Sequence, residues 1–218
     1  MHILNKIYQQ LLSHYGPQHW WPGGTQFEVT IGAILAQNVS WTNAAKAIEN
    51  LKKHNLLQPQ KLSKKKAEAI APYIKSSGYY NQKAGAIAAF LQWFKKYDFS
   101  FEKLDAVTTD KLRCQLLSLP RIGPETADSI LLYALQRKIF VVDAYTKRIF
   151  TRLGLLTGKE DYDAIQDVFH NNFEGTVHDY NEYHALIVKH GKDVCTKKPH
   201  CDACCIGDVC KLIKFKRL

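Results

Sequence analysis

The chain has 218 residues, a formal net charge of +10 and 46% hydrophobic residues. That apolar content excludes general disorder, the length can bury a core in one domain or two small ones, and the longest apolar runs, such as Ile139 to Val142, are too short to cross a bilayer. The excess of Lys and Arg favours a polyanionic partner, nucleic acid first, because each cation that neutralises a phosphate releases a counterion.

In chain order, Lys6 is followed by a stretch from Ile7 to Gly16 in which polar residues interrupt the apolar ones, so no secretory apolar core is visible. The expected compartment is the cytoplasm, in association with the nucleoid, with no membrane contact. Helical spacing then recurs at Phe27, Ile31, Ile34 and Leu35, at Ile87, Phe90, Leu91 and Phe94, and at Ala127, Ile130, Leu131 and Ala134. Breakers at Pro22 to Gly24, Pro59, Pro72, Ser76 to Gly78, Pro120 to Pro124 and Gly158 cut the chain into helices of ordinary length. No run of strict alternation competes, so the expected fold is all-α. Lys61 to Lys66 reads as a solvated basic face.

Leu119-Pro120-Arg121-Ile122-Gly123-Pro124 joins an apolar helix end to a new helix. Proline suits the first helical turn, where its missing N–H costs nothing. The N–H groups at such a turn point outward at the positive end of the helix dipole, a seat for a phosphate that reads no sequence. Further on, Ile139 to Val142 ends in Asp143 ahead of another helical pattern. An N-cap is one reading of that aspartate. Five of the six cysteines fall between Cys195 and Cys210, which points to metal and not to disulfides. Cys114 stands apart and reads as a core residue. Cys195, Cys201, Cys204 and Cys210 are spaced C-x5-C-x2-C-x5-C, a set that suits a [4Fe–4S] cluster or structural zinc, with Cys205 spare or alternative to Cys204.

These motifs, in this order, resemble the endonuclease III family of helix-hairpin-helix DNA glycosylases from about Gln26 to Cys210. Leu119, Pro120, Ile122, Gly123, Thr126 and Ala127 match its hairpin, with Arg121 in place of the first glycine. The resemblance implies two helical domains with a DNA groove between them: residues 26–137, and residues 1–25 plus 138–218. It implies Asp143 as the catalytic carboxylate and a [4Fe–4S] cluster on the four cysteines. Gln37 resembles the residue that fills the gap left by a flipped base, and Lys83, Arg121, Ile122 and Gly123 fall at DNA-binding positions. Glu125 occupies the position of the lysine that forms a Schiff base in bifunctional members, and a carboxylate cannot do so.

A flipped base needs aromatic surfaces, and Trp20, Trp21 and Trp41, with Glu125, are the expected pocket. Trp41 follows Gln37 at helical spacing. The pattern looks most like the 3-methyladenine glycosylases on this scaffold. The implied partner is double-stranded DNA with a damaged or mismatched base, bound by a monomer. The alternatives are a mismatch or oxidised-pyrimidine glycosylase, with or without lyase activity, and a non-catalytic DNA-binding module.

Overall fold

The computed structural model describes residues 2–216, with side chains through Ile213, and among them there are only helices, turns and loops. The chain divides into two compact units, one formed by the residues up to Trp20 together with those from Lys138 onward, the other by Trp21–Arg137. The division falls ahead of the expected Gln26.

The first unit begins with α1 (Ile3–Tyr15). The second unit then contains α2 (Gln26–Leu35), α3 (Trp41–Lys53), α4 (Pro59–Leu62), α5 (Ala67–Ile70), a 3-10 segment (Ala71–Ser77), α6 (Tyr80–Lys95), α7 (Glu102–Asp105), α8 (Thr109–Leu117) and α9 (Pro124–Ser129). A π-helical segment, Ile130–Ala134, prolongs α9. The chain returns to the first unit with α10 (Ala144–Leu153), α11 (Tyr162–Asn172), α12 (Val177–Asp193), two 3-10 turns and α13 (Lys211–Lys216).

Local chemistry sets the helix ends. Thr25 caps α2 by accepting from Glu28 N–H, and Thr176 and Asp179 form a reciprocal capping box on α12. Nine of the ten residues of α2 are buried, so it is the central helix of its unit. Every residue of the three expected apolar faces is buried. In the first unit the core is aromatic: Phe140 stacks on Phe169 at 3.7 Å, and Phe150 and Tyr183 meet Phe169 edge-on. Each such pair adds roughly 0.5–1.5 kcal/mol beyond its buried area. Cys114 corrects the expectation of a core residue: it is exposed on α8, whose buried face is Leu112 and Leu116. No helix among the described residues is long and apolar enough to cross a membrane.

Candidate active site and metal centre

The hairpin lies in the second unit between α8 and α9. Arg113 of α8 donates to both carboxylate oxygens of Asp128 of α9, at 2.8 and 3.2 Å, and Asp128 is fully buried. This two-pronged charged bond braces the helices on either side of the turn. Ile122 is buried and anchors the turn, while Arg121, Gly123 and Glu125 are exposed. Arg121 has φ +66°, so it adopts the left-handed conformation that a glycine takes without strain. The turn is thus kept at the cost of a strained arginine whose side chain is exposed.

Gln37 lies in the turn after α2, and Ser40 is the extended N-cap of α3, which begins at Trp41, so Gln37 and Trp41 are not on one helix as their spacing suggested. The Gln37 amide donates to Arg121 O at 3.1 Å and to Thr126 Oγ1 at 2.9 Å. The expected gap-filler is therefore tied to the hairpin. Lys83 departs from the expectation of a DNA-facing cation. It is 3% exposed and its ammonium donates to Leu35 O and Ser77 O, because α6 points it into the protein.

Trp21 and Trp41 meet edge to face at 5.1 Å, and Trp21 also meets Tyr133 at 5.2 Å. Gly32 makes room for Trp21, since a Cβ there would stand 3.0 Å from the indole nitrogen. Trp20 belongs to the other unit, where the Lys192 ammonium lies 5.7 Å from its ring centre. Tyr79 opens the stretch Tyr79 to Ala84 that belongs to the resemblance to the 3-methyladenine glycosylases, without a role of its own there. It is 68% exposed with φ +45° and shares a cavity with Gln37 and Arg121. An aromatic directly after Gly78 in a breaker stretch was the available signal. Tyr133, in the π-helical segment, gave none beyond its apolar surroundings.

In the first unit Asp143 is the N-cap of α10, with extended backbone and a side chain 10% exposed. Its Oδ1 accepts from Thr146 N at 2.7 Å and Thr146 Oγ1 at 2.9 Å, while Oδ2 lies 3.6 Å from His184 Nε2 on α12. Burial pushes the carboxyl up, but His184 and the two Thr146 donors outweigh it and hold it below the ordinary carboxylate value. One oxygen thus serves the helix cap, and the other faces the histidine. Nothing in the sequence pointed to His184. Tyr145 packs on the bare backbone of Gly191, where any Cβ would collide with the ring, and the Arg148 guanidinium covers it at 5.0 Å.

Helix α10 also carries Arg148 and Arg152, which hold the cysteine loop. Arg148 donates to Gly191 O and Cys195 O, and Arg152 to Thr196 O and Lys197 O. Cys195, Cys201, Cys204 and Cys210 line one cavity with Ile149, Leu153 and Ile206, whereas Cys205 faces another with Lys6 and His14. Arg152 Nη1 lies 3.2 Å from Cys195 Sγ, and His190 Nε2 lies 3.6 Å from Cys204 Sγ, within hydrogen-bond range for sulfur. Four thiols around an apolar cavity with N–H donors at the rim are a donor set that fits an iron–sulfur cluster. Among the described residues, no three His, Cys, Asp or Glu side chains converge on a single metal-ion position.

An all-helical fold with a braced hairpin, an exposed turn and a capped carboxylate is the build of a helix-hairpin-helix DNA repair enzyme. The model for the HhH-GPD superfamily of base excision DNA repair proteins matches residues 31–174. A Methanocaldococcus jannaschii protein classed as a DNA repair glycosylase is 45% identical over 210 residues, 95% of this chain and 96% of its own. Endonuclease III of Sulfolobus acidocaldarius is 28% identical, over 97% of this chain and 96% of its own.

Among solved structures, the Helicobacter pylori 3-methyladenine DNA glycosylase bound to 1,N6-ethenoadenine matches at TM-score 0.77 and 30% identity, covering 87% of this chain and 97% of its own. A trapped endonuclease III–DNA covalent intermediate matches at TM-score 0.82 and 20% identity over the whole of both chains, a likeness of fold. The chain belongs to the HhH-GPD superfamily of base excision DNA repair proteins, and with it to the DNA glycosylases.

Proposed function

We propose that the protein is a monofunctional DNA N-glycosylase that acts as a monomer at the nucleoid and releases an alkylated purine from duplex DNA with water. The observation that carries this reading is Asp143, a largely buried carboxylate held in its charged form with one oxygen fixed by the α10 cap. As the bond from C1′ to the base nitrogen breaks, the electron pair leaves with the base and positive charge grows on the sugar. A fixed carboxylate stabilises that charge and orients the water that adds at C1′.

The other parts fit the same reaction. The hairpin turn with Arg121 grips the strand, Gln37 and Tyr79 fill the space left by the flipped base, and Trp21 and Trp41 offer that base an aromatic surface. One stacked ring is worth roughly 1–3 kcal/mol per base. A cationic alkylated purine gains further from a cation–π contact. The 30% identity to a 3-methyladenine glycosylase supports this substrate class. Glu125 supports a hydrolytic, non-lyase reaction, because the hairpin offers no amine there.

The four cysteines would hold a [4Fe–4S] cluster that orders the loop. The four thiols share one cavity, and their C-x5-C-x2-C-x5-C spacing supports the cluster reading through its likeness to the family loop. The test is a panel of lesion-bearing oligonucleotides, treated with alkali to reveal abasic sites, with borohydride present in a parallel reaction. Release of an alkylated purine without a trapped adduct is the expected result. A covalent adduct contradicts the monofunctional reading, and no release of any base removes the catalytic one.

A further inference from the structure

Lys83 is a buried cation that none of these roles uses. From α6 its ammonium donates to Leu35 O at 2.9 Å and to Ser77 O at 2.5 Å. The two acceptors belong to different segments. Leu35 is the last residue of α2, where carbonyls lose their helical partners and the dipole is negative, and Gln37 follows two residues later. Ser77 ends the 3-10 segment, and Gly78 and Tyr79 follow it with φ of +62° and +45°. One side chain therefore ties the segment that carries Gln37 to the segment that carries Tyr79.

The backbone around this tie is under strain. Asn38, Tyr79 and Arg121 have φ of +52°, +45° and +66°, and all three line the cavity that Gln37, Gln82 and Lys83 share. Non-glycine residues persist in that conformation only where the surroundings over-determine them. The surroundings here are the Lys83 bonds on one side and the bonds of Gln37 to the hairpin on the other. Burial lowers the Lys83 pKa to about 8, the effect expected of an ammonium kept from water.

We infer that Lys83 is a positioning residue for base extrusion: it never touches DNA, but it locks the Gln37 and Tyr79 segments side by side so that both enter the duplex as one rigid wedge. This rests on the glycosylase reading above. A rigid wedge meets the unstacking cost in a single step, while two loose segments must first be ordered against the duplex. The cost is smallest for a base that is already unpaired, so the contribution of Lys83 depends on the substrate.

The experiment compares wild type, Lys83→Met, which keeps the chain length and loses the donors, and Lys83→Gln, which keeps one donor group. Each variant is first melted, and those that unfold cooperatively are carried into the assays. Single-turnover excision of 1,N6-ethenoadenine is measured when the lesion is paired in a duplex and when it lies in a bulge. In parallel, fluorescence of a 2-aminopurine beside a tetrahydrofuran abasic site reports wedge insertion without any bond cleavage. The inference expects paired-target excision to fall by about 10²-fold, the loss that a displacement near 1 Å causes, with bulge excision nearly unchanged and the fluorescence rise lost. Equal losses on both targets, or no loss on either with wild-type fluorescence, overturn it. Wild-type protein that raises the fluorescence but excises neither target, and releases no base from the lesion panel, sinks the glycosylase reading and leaves the wedge inference standing.

Discussion

Asparagine at position 143 separates the two tasks of that side chain. Oδ1 accepts Thr146 N at 2.7 Å and Thr146 Oγ1 at 2.9 Å, and an amide oxygen can accept both. Asn and Asp are about equal as caps, so the helix itself loses the attraction between the charge and its dipole, roughly 0.3–1 kcal/mol, beside the contact with His184. In a chain of this size that lowers Tm by about 1–4 °C. The reaction loses a charge aimed at the developing sugar cation, and removal of one such preorganised partner costs about 10²–10³ in rate, or roughly 2.7–4 kcal/mol. Asp143→Ala should be as inactive, with about 1 kcal/mol more destabilisation from the lost cap. Single-turnover base release, melting curves and DNA anisotropy on the three proteins measure all of this. Wild-type excision by Asp143→Asn would refute the reasoning, as would an Asn variant as unstable as the Ala variant.

Arg121→Gly relieves the left-handed strain, so thermal stability should hold or rise by about 1 kcal/mol. The same change removes one phosphate contact and should reduce the salt slope of DNA binding by about 1 in a titration from low to moderate salt. Cys204→Ser should lose iron and sulfide on chemical analysis while Cys205→Ser keeps both, since only the Cys204 side chain shares the cavity of the other three thiols; the reverse pattern would reassign the ligand. Arg113→Met leaves Asp128 buried without its guanidinium and should lower stability by about 3–5 kcal/mol in denaturant melts.

Asp143 is held low by His184 and Thr146 against the effect of burial, and Glu160 is held at about 2 chiefly by the Thr157 N–H and its own backbone N–H. Depressed folded values mean that the unfolded chain takes up more protons in acid. Their contribution is therefore fully present above the ordinary carboxylate values near about 4, and it is lost as pH falls through the folded values. These two groups should leave melting temperature level above about pH 5 and lower it towards pH 2, so Asp143→Asn should flatten the acid decline relative to wild type; an unchanged acid decline would contradict the assignment.

What the sequence determined by itself is whatever is decided within one helical turn. Apolar residues at three-and-four spacing form buried faces because the helix puts them on one side, and Phe27, Ile87 and Ile130 are buried for that reason. The same locality made the hairpin legible, and with it the Asp143 cap and the grouping of the cysteines, since each depends on neighbours a few residues away. Tertiary structure decided everything that hangs on which distant groups surround a side chain.

A lysine at position 83 looks solvated in one dimension, yet it is buried because α6 aims it at carbonyls 48 and 6 residues away. Cys114 looks like core, but it falls on the outer face of α8. His184 meets Asp143 only because α12 packs against α10. Cys204 and Cys205 are adjacent in the chain and enter different cavities. Burial of a polar group is settled by partners that the fold brings to it, and spacing along the chain carries no record of them.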